Sequence, residues 1–505
     1  MNGAARPHPL FVRLADPARA ARPALRRGAG DLDYAALSGA VGALAAALAE
    51  AGVERGDKVP VACAEVGAHL VAVLAVLAAG GVAVPLPAAM AAARRAEILA
   101  RLAPPLMVAD AGVAAGGVAA LSLTLDEAGR PVLDDRTLAP RPVQPPPLDE
   151  RALAMIRFTS GSTGRPKGVA LDHAQLLWSA GILSGLFGFT PEHRELLVAP
   201  VALSGAWQRA LATLWAGGCL VPLEGPPALP VLLETAGREK ISGFYTPPPL
   251  ARLLLQGEAR AVRAALAGCR TLEIGSAPVS GEEVRGLLAL LPRARVLVHY
   301  GLTECSRAVV LDARAHPECC HTVGRPAPGV ALQVVDQAGR PLPPGQSGAI
   351  RLRGPQLARG YLDDRGRLQP LPGGWLETGD QGLLDEQGFL IFQGRCDERI
   401  NCGGHSFYPA EVERLLAGLP GVAHCLVAGV DDPQGLLGEV PWAYVVPGSG
   451  WSQRDFMRAA RRVLPPHQVP RGVTLLDNLP LTPAGKPDRR ALGGVHQAPG
   501  GGSRP

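Results

Sequence analysis

Between Phe158 and Val169 the chain reads FTSGSTGRPKGV, a run of glycines and hydroxyls followed by a lysine. Gly161 and Gly164 let backbone N–H groups turn inward as an anion nest, because a residue without Cβ accepts the conformations a nest needs. The hydroxyls of Thr159, Ser160, Ser162 and Thr163 add donors, and Lys167 adds a positive charge. This is phosphate-cradle chemistry, and the strand-like run ALAMIRF leads into it. A Walker loop requires GxxxxGK followed by Ser or Thr. Here Lys167 follows Pro166 and precedes Gly168, so a P-loop NTPase is the wrong reading. A polar surface loop can share this composition, and the reading therefore turns on what else the chain carries.

Further stretches hold groups able to act on a phosphate ester. HYGLTEC, directly after the apolar run ARVLV, presents Tyr300, Gly301, Thr303 and Glu304. A carboxylate there suits a hard cation that also takes phosphate oxygens. GSAPVSG begins at Gly275 with Ser276, Ala277 and Pro278, and WLETGDQG contains Asp380. GRCDERINCGGHSFYPAEVE carries Arg395, Asp397 and Gly404, and LTPAGKPDRRAL carries Lys486. Taken singly, a strand-end Tyr and Glu are more often structural, and an Asp in Thr-Gly-Asp is a turn former.

In this order and at this spacing the stretches resemble the motifs of the ANL superfamily of adenylate-forming enzymes: acyl- and aryl-CoA synthetases, nonribosomal peptide synthetase adenylation domains, and luciferases. The resemblance runs from about Leu32 to Leu492, nearly the whole chain. It implies that Thr159, Ser160, Gly161, Ser162, Thr163, Gly164 and Lys167 hold the phosphates of ATP. Tyr300, followed by Gly301, would stack on adenine, Thr303 would bond a phosphate and Glu304 would hold Mg²⁺. Gly275, Ser276, Ala277 and Pro278 would form the adenine-side loop. Asp380 and Arg395 would contact the ribose. Asp397 would be the pivot between two domains and Gly404 would line a tunnel for a pantetheine arm. Lys486 would be the catalytic lysine, carried on a mobile C-terminal domain.

The activity this implies has two steps. A carboxylate attacks the α-phosphorus of ATP in line and pyrophosphate leaves; the acyl-adenylate then passes to a thiol, that of CoA or of a phosphopantetheinylated carrier protein. Positioning and charge neutralisation dominate such chemistry. A non-catalytic nucleotide- or acyl-binding descendant of the fold is the alternative from another class, yet Lys167, Glu304, Asp380, Arg395 and Lys486 are all retained. Three positions depart from the family pattern: Gln381 where an apolar residue is usual, Ala484 in place of a common Asn, and Ser406 where many members are basic. DERINCGGHSF also has the spacing of a phosphopantetheine attachment site at Ser406, but Arg399 and Ile400 replace its usual aromatic pair, and no four-helix carrier unit follows.

Amino-acid-activating members carry an Asp in the stretch matching VAPVALSGAWQRALA, which has no acid, with Ser204 or its neighbours standing there; many CoA ligases also carry a His in this stretch, and it too is absent, with Leu203 near its place. A buried ammonium without a partner is costly, so an aliphatic or aryl acid is expected rather than an α-amino acid. Leu203, Ser204, Trp207, Phe244 and Tyr245 are the candidate walls of the acyl pocket, with Ala277 beside them.

Such residues need a scaffold, and the chain supplies one. Runs such as VPVACA, GVAVPL, ELLVAPV, CLVPLE, ISGFYT, TLEIGS and ARVLVHY alternate with helical runs such as SGAVGALAAALAEAG and PPLARLLLQG. That alternation predicts an α/β fold with mainly parallel sheets. From about Val323 short strands with Gly/Pro turns predict a β-rich subdomain, and beyond Gly394 a helix–strands–helix pattern predicts a small α+β unit. The expected division is a large domain over 1–394, a small mobile C-terminal domain over 395–495 and a disordered Gly/Pro tail over 496–505. A length of 505 residues with 47% hydrophobic and 19% charged residues fits a multidomain globular protein. A net charge of +5 spread over so large a surface, with 4% aromatics, argues against nucleic acid. The nine cysteines form no CxxC pair, and Cys319-Cys320-His321 lacks a second ligand pair, so reduced thiols in a cytoplasmic protein are expected. The N-terminus has no apolar core of a secretory signal. Uncharged Leu70–Ala93 is long enough for a bilayer, but Gly80-Gly81 and Pro85 divide it into a buried helix and a short strand.

Overall fold

The computed structural model describes residues 6–28, 30–160, 166–223, 228–402, 405–432, 434, 437–481, 487–489 and 491–492. Among them two large sheets, of nine and ten strands, form the body of the molecule, with sheets of four, two and three strands following along the chain. In the first large sheet the strands Arg194–Leu197, Cys219–Pro222, Gly243–Thr246, Thr271–Ile274 and Arg295–Leu302 pair in parallel. The centre of the second is also parallel, built from Lys58–Ala62, Val82–Pro85, Leu106–Ala109 and Leu153–Ser160. Parallel strands covered on both faces read as continuous apolar runs, which is why these segments were visible in the sequence. Antiparallel strands close the sheets toward the site: Cys305–Asp312 returns against Arg295–Leu302, and Pro166–Asp172 against Leu153–Ser160.

Helices lie between the sheets. Val66–Ala78 is buried almost throughout, and its apolar residues share one core with strands of both sheets and with the helices Tyr34–Glu50, His173–Phe187 and Ser204–Ala216. Gly80 stands at φ +82°, where the chain leaves this helix and turns into the strand Val82–Pro85. The uncharged run is thus core from Leu70 to Leu77 and again from Gly81 to Leu86, and no helix of the described residues is long and apolar enough to cross a membrane. A second apolar cluster lies under the helices Leu229–Glu239, Pro248–Gln256 and Gly281–Leu290.

The β-rich segment is an antiparallel sheet of Ala331–Val335, Gly348–Arg353, Leu376–Leu384 and Leu390–Arg395. Beyond it, Ile400–Leu464 build a separate apolar cluster around the helix Pro409–Leu416 and the strands Val422–Asp431 and Glu439–Pro447. The nine cysteines form no disulfide and eight are buried. Among the described residues no group of three or more His, Cys, Asp or Glu could hold a metal ion, and Cys319 lies in apolar packing beside Cys320.

Candidate active site

The candidate residues converge where the antiparallel strands close the two large sheets. The candidate phosphate loop joins two antiparallel strands, Leu153–Ser160 and Pro166–Asp172, rather than a strand and a helix. Lys167 lies opposite Thr159 in that ladder, and the Thr159 hydroxyl faces the Lys167 carbonyl at 3.5 Å. Gly161, Ser162, Thr163 and Gly164, the centre of the loop, lie outside the described residues, as do Gly404 and Lys486. Ser160 ends the incoming strand, and Asp397 lies in the single turn Cys396–Glu398, directly after Arg395.

HYGLTEC is a hairpin. Leu302 pairs with Cys305, so Thr303 and Glu304 form its two-residue tip. Gly301 is required there, since a Cβ would come within 2.8 Å of the Arg307 nitrogen and the Cys305 oxygen. One turn of backbone therefore presents Tyr300 on the strand and Glu304 at the tip. The Tyr300 hydroxyl donates to Asp380 Oδ2 at 2.6 Å, and Arg395 donates to Asp380 Oδ1 at 3.1 Å and to the Thr378 carbonyl at 3.2 Å. Asp380 and Arg395 are cross-strand partners, which fixes their approach. Asp380 is almost fully buried, and its backbone N–H is held by the Thr378 hydroxyl at 3.1 Å. Burial and then the Asp380 charge push the Tyr300 phenol far above its ordinary range, so it remains a donor.

Across from this trio lies a second one. The Lys167 ammonium stands 3.4 Å over the centre of the Tyr361 ring, and the Tyr361 hydroxyl donates to Glu304 Oε1 at 3.0 Å. Tyr361 had no part in the sequence reading. Its strand, Gly360–Leu362, pairs with Pro166–Asp172, and Arg101 braces both by donating to the carbonyls of Pro166 and Asp363 at 2.7 Å. Among the described residues Glu304 accepts that one hydrogen bond, which leaves most of a carboxylate's acceptor capacity for a hard cation completed by substrate phosphates. The donor set fits Mg²⁺.

The adenine-side loop follows the strand Thr271–Ile274. A Cβ on Gly275 would meet the His299 ring at 2.3 Å, so glycine here leaves room for that side chain. Ser276 holds φ +70°, a strained conformation for a side-chain-bearing residue. Its hydroxyl accepts from the Tyr245 phenol at 2.7 Å, and Ala277 and Pro278 lead on to the capped helix Gly281–Leu290.

Of the candidate acyl walls, the structure brings Tyr245 to this loop and places Leu203 and Ser204 at the start of the helix Ser204–Ala216, half-buried. Phe244 and Trp207 are both buried. Strand alternation turns Phe244 away from Tyr245 into the apolar cluster beneath the helices, and Trp207 is buried in the inter-sheet core. Beneath Tyr245 the sequence reading missed a buried ion network. Arg209 donates to Glu195 at 2.7 Å and reaches Glu273, while Arg307 clasps Glu273 at 2.7 and 3.2 Å and also bonds Gln208 and the Gly205 carbonyl. Both arginines and both glutamates are 0–3% exposed.

Two stacked α/β sheets, a hydroxyl- and glycine-rich phosphate hairpin, and a buried acid beside a tyrosine and an arginine define an adenylate-forming ligase. Residues 14–362 match the AMP-binding enzyme family and residues 411–486 match its C-terminal domain family. The chain belongs to that family and is an AMP-forming acid–thiol ligase. It is 33% identical over 471 residues to a feruloyl-CoA synthase of an Amycolatopsis species, covering 92% of this chain and 94% of the relative. The ATP-bound structure of MatB from Rhodopseudomonas palustris superimposes with a TM-score of 0.87 at 27% identity, covering 98% and 99% of the two chains. The amide bond synthetase McbA from Marinactinospora thermotolerans does so at 0.84 and 29%, covering 96% and 99%.

Proposed function

We propose that the enzyme activates an aryl or aliphatic carboxylic acid, rather than an α-amino acid, as its acyl-adenylate and passes the acyl group to CoA. The observation that carries the acid class is the ion network under Tyr245. The carboxylates near the pocket, Glu195 and Glu273, are committed to Arg209 and Arg307, and no acid stands at Leu203 or Ser204 to pair with a substrate ammonium. The relative named a feruloyl-CoA synthase supports an aryl acid and the CoA acceptor. A carrier protein presents the same pantetheine arm and is the second acceptor to test.

In this reading Asp380 and Arg395 take the ribose, Tyr300 packs against the adenine, and the Gly275–Pro278 backbone borders the base. Thr159–Gly164, Thr303 and Lys167 hold the phosphates. Glu304 would hold Mg²⁺, which supplies charge neutralisation for the departing pyrophosphate. Lys486 approaches the carboxylate and α-phosphate as negative charge accumulates. The C-terminal unit, beginning near residue 395 and possessing its own apolar cluster, turns about Asp397 so that the Gly404 backbone replaces Lys486 at the site. Acid-dependent exchange of labelled pyrophosphate into ATP tests the first step across aryl, aliphatic and amino acids. Exchange with an aryl or aliphatic acid that collapses in Lys486→Ala is expected. Exchange confined to amino acids overturns the acid class. Thioester formation, measured with CoA and with a loaded carrier protein, then decides the acceptor.

A further inference from the structure

Lys167 and Glu304 carry opposite charges on neighbouring turns of backbone, yet they form no ion pair with each other: the ring of Tyr361 stands between them. The ammonium meets the face of the ring, 3.4 Å from its centre, and the carboxylate accepts from the hydroxyl at the ring's edge, 3.0 Å away. We propose that Tyr361 is a positioning residue that keeps the phosphate-site lysine and the metal-site carboxylate from neutralising one another, so that each meets the incoming nucleotide with its charge unspent. The proposal rests on the roles given above to Lys167 and Glu304.

The physical case has two parts. A direct Lys–Glu contact is electrostatically stronger than an ammonium on an aromatic face, so without a separator the pair would collapse. The aromatic face holds the ammonium in place without cancelling its charge, and a neutral hydroxyl orients the carboxylate without occupying it as a cation would. Tyr361 is also fixed by backbone on both sides. Its strand is paired to that of Lys167, with Val169 opposite Tyr361, and the segment before it is clasped to the hairpin tip, where the Ala358 N–H donates to the Glu304 carbonyl at 2.7 Å. Gly360 permits this close passage, since a Cβ there would strike the Gln369 carbonyl at 1.9 Å. A residue held so firmly keeps its spacing whether or not nucleotide is bound.

The test measures ATP affinity by calorimetry, with Mg²⁺ and in EDTA, for wild type, Tyr361→Phe, Tyr361→Leu, Glu304→Gln and the Tyr361→Leu/Glu304→Gln double variant. Tyr361→Phe keeps the ring and loses the carboxylate's orienting bond; its affinity in EDTA should match wild type while the gain from Mg²⁺ shrinks about threefold. Tyr361→Leu lets the charges meet, so its affinity in EDTA should fall roughly tenfold, and removing the Glu304 charge in the double variant should restore it. That recovery is not expected of a residue that merely supports the fold. Should leucine fail to fold, methionine at the same position replaces it in both variants. Unchanged affinity in EDTA for the ring-less variant, or a loss that the double variant does not recover, overturns the proposal. A Glu304→Gln enzyme with a normal gain from Mg²⁺ overturns instead the metal role of Glu304 on which it rests.

Discussion

Two clusters of charge lie on either side of the strand Arg295–Leu302, and they are built on opposite principles. Beneath Tyr245, Glu195, Glu273, Arg209 and Arg307 are sealed from solvent and satisfy one another. Burial opposes ionisation of Glu273, but the charges of Arg307, His299 and Arg209 outweigh it and hold the carboxyl far below its usual range. Toward the proposed nucleotide side, Lys167 is exposed, Glu304 accepts a single hydrogen bond among the described residues, and Arg395 is 38% exposed while it grips a buried Asp380. The first cluster is closed and has no charge left to offer. The second rests Lys167 and Glu304 on the neutral Tyr361 side chain and pairs a buried Asp380 with a part-exposed Arg395. In this molecule it is the unfilled capacity of a charged group, more than its burial, that separates a binding site from a structural network.

Breaking the closed cluster should have the largest effect. Arg209→Met leaves Glu195 with His193 but without its guanidinium partner and leaves Glu273 with one fewer partner inside the sheet, and loss of one member of a buried ion pair costs about 3–5 kcal/mol. Urea unfolding should show that loss, and a midpoint like wild type would mean the network contributes little. Asp380→Asn in the open cluster should act on ligand instead. Loss of an acceptor for charged and hydroxyl donors is worth about 1.5–3 kcal/mol, or roughly ten- to a hundredfold in AMP affinity. Calorimetry at a temperature where the variant remains folded checks it, and an unchanged AMP affinity would remove Asp380 from the ribose site.

The pH dependence sharpens the contrast with a third set of buried polar groups, which is neutral. His8 Nε2 meets His173 Nδ1 at 3.0 Å, and His69 contacts the Cys63 carbonyl at 3.1 Å. Burial above all, with the neighbouring His173 adding to it for His8, lowers these three histidines from 6.5 to about 4. The folded state therefore binds fewer protons than the unfolded chain between pH 6.5 and about 4. Stability should be full above that window and fall as the pH drops through it, by up to about 1.4 kcal/mol per pH unit for each histidine. The Glu273 contribution, with its pKa depressed, persists through the same window and is lost only at lower pH. Denaturant titrations at pH 7.5 and pH 5 check this; a His8→Phe/His173→Phe variant that folds should lose part of the slope.

Much of the scaffold and the order of the site motifs could be read from the sequence because their requirements are local. Apolar runs encode covered parallel strands, and the glycines at 275 and 301 mark places where the backbone admits no Cβ. The partners of those motifs could not be read. Tyr361 lies 57 residues from Glu304, and Arg101 lies 262 residues from Asp363. Neither belongs to a motif with a chemical signature of its own. Arg209, Arg307, Glu195 and Glu273 sit in segments that read as ordinary helix and strand, and only the fold shows that their charges meet. Residue type named Phe244 and Trp207 as candidate walls, but it does not reveal the face of a strand or helix from which a side chain projects, and both are buried.

The smallest expected effect belongs to a departure from the family pattern that the sequence displayed without explaining. Gln381, on the strand beside Asp380, accepts from the Tyr408 hydroxyl and donates to the Ser347 hydroxyl at 2.9 Å. Ser347 in turn donates to Gln393, whose amide reaches Glu411 at 3.4 Å. Gln381 and Gln393 belong to the antiparallel sheet and Ser347 directly precedes its strand Gly348–Arg353, whereas Tyr408 and Glu411 begin the helix Pro409–Leu416 of the C-terminal unit. A polar seam of this kind suits a joint that must open, because its hydrogen bonds exchange with water at a net cost of only about 0.5–1.5 kcal/mol each. Gln381→Leu, which puts an apolar residue there, removes the centre of the seam and leaves Asp380 and Arg395 in place. Pyrophosphate exchange should stay within about threefold of wild type, and the ratio of thioester formation to adenylation should shift by a few-fold, as one orientation of the C-terminal unit loses about 1 kcal/mol. Equal changes in both half-reactions would place Gln381 with the nucleotide site rather than with the joint, and would move the border between the two kinds of cluster one residue beyond Asp380.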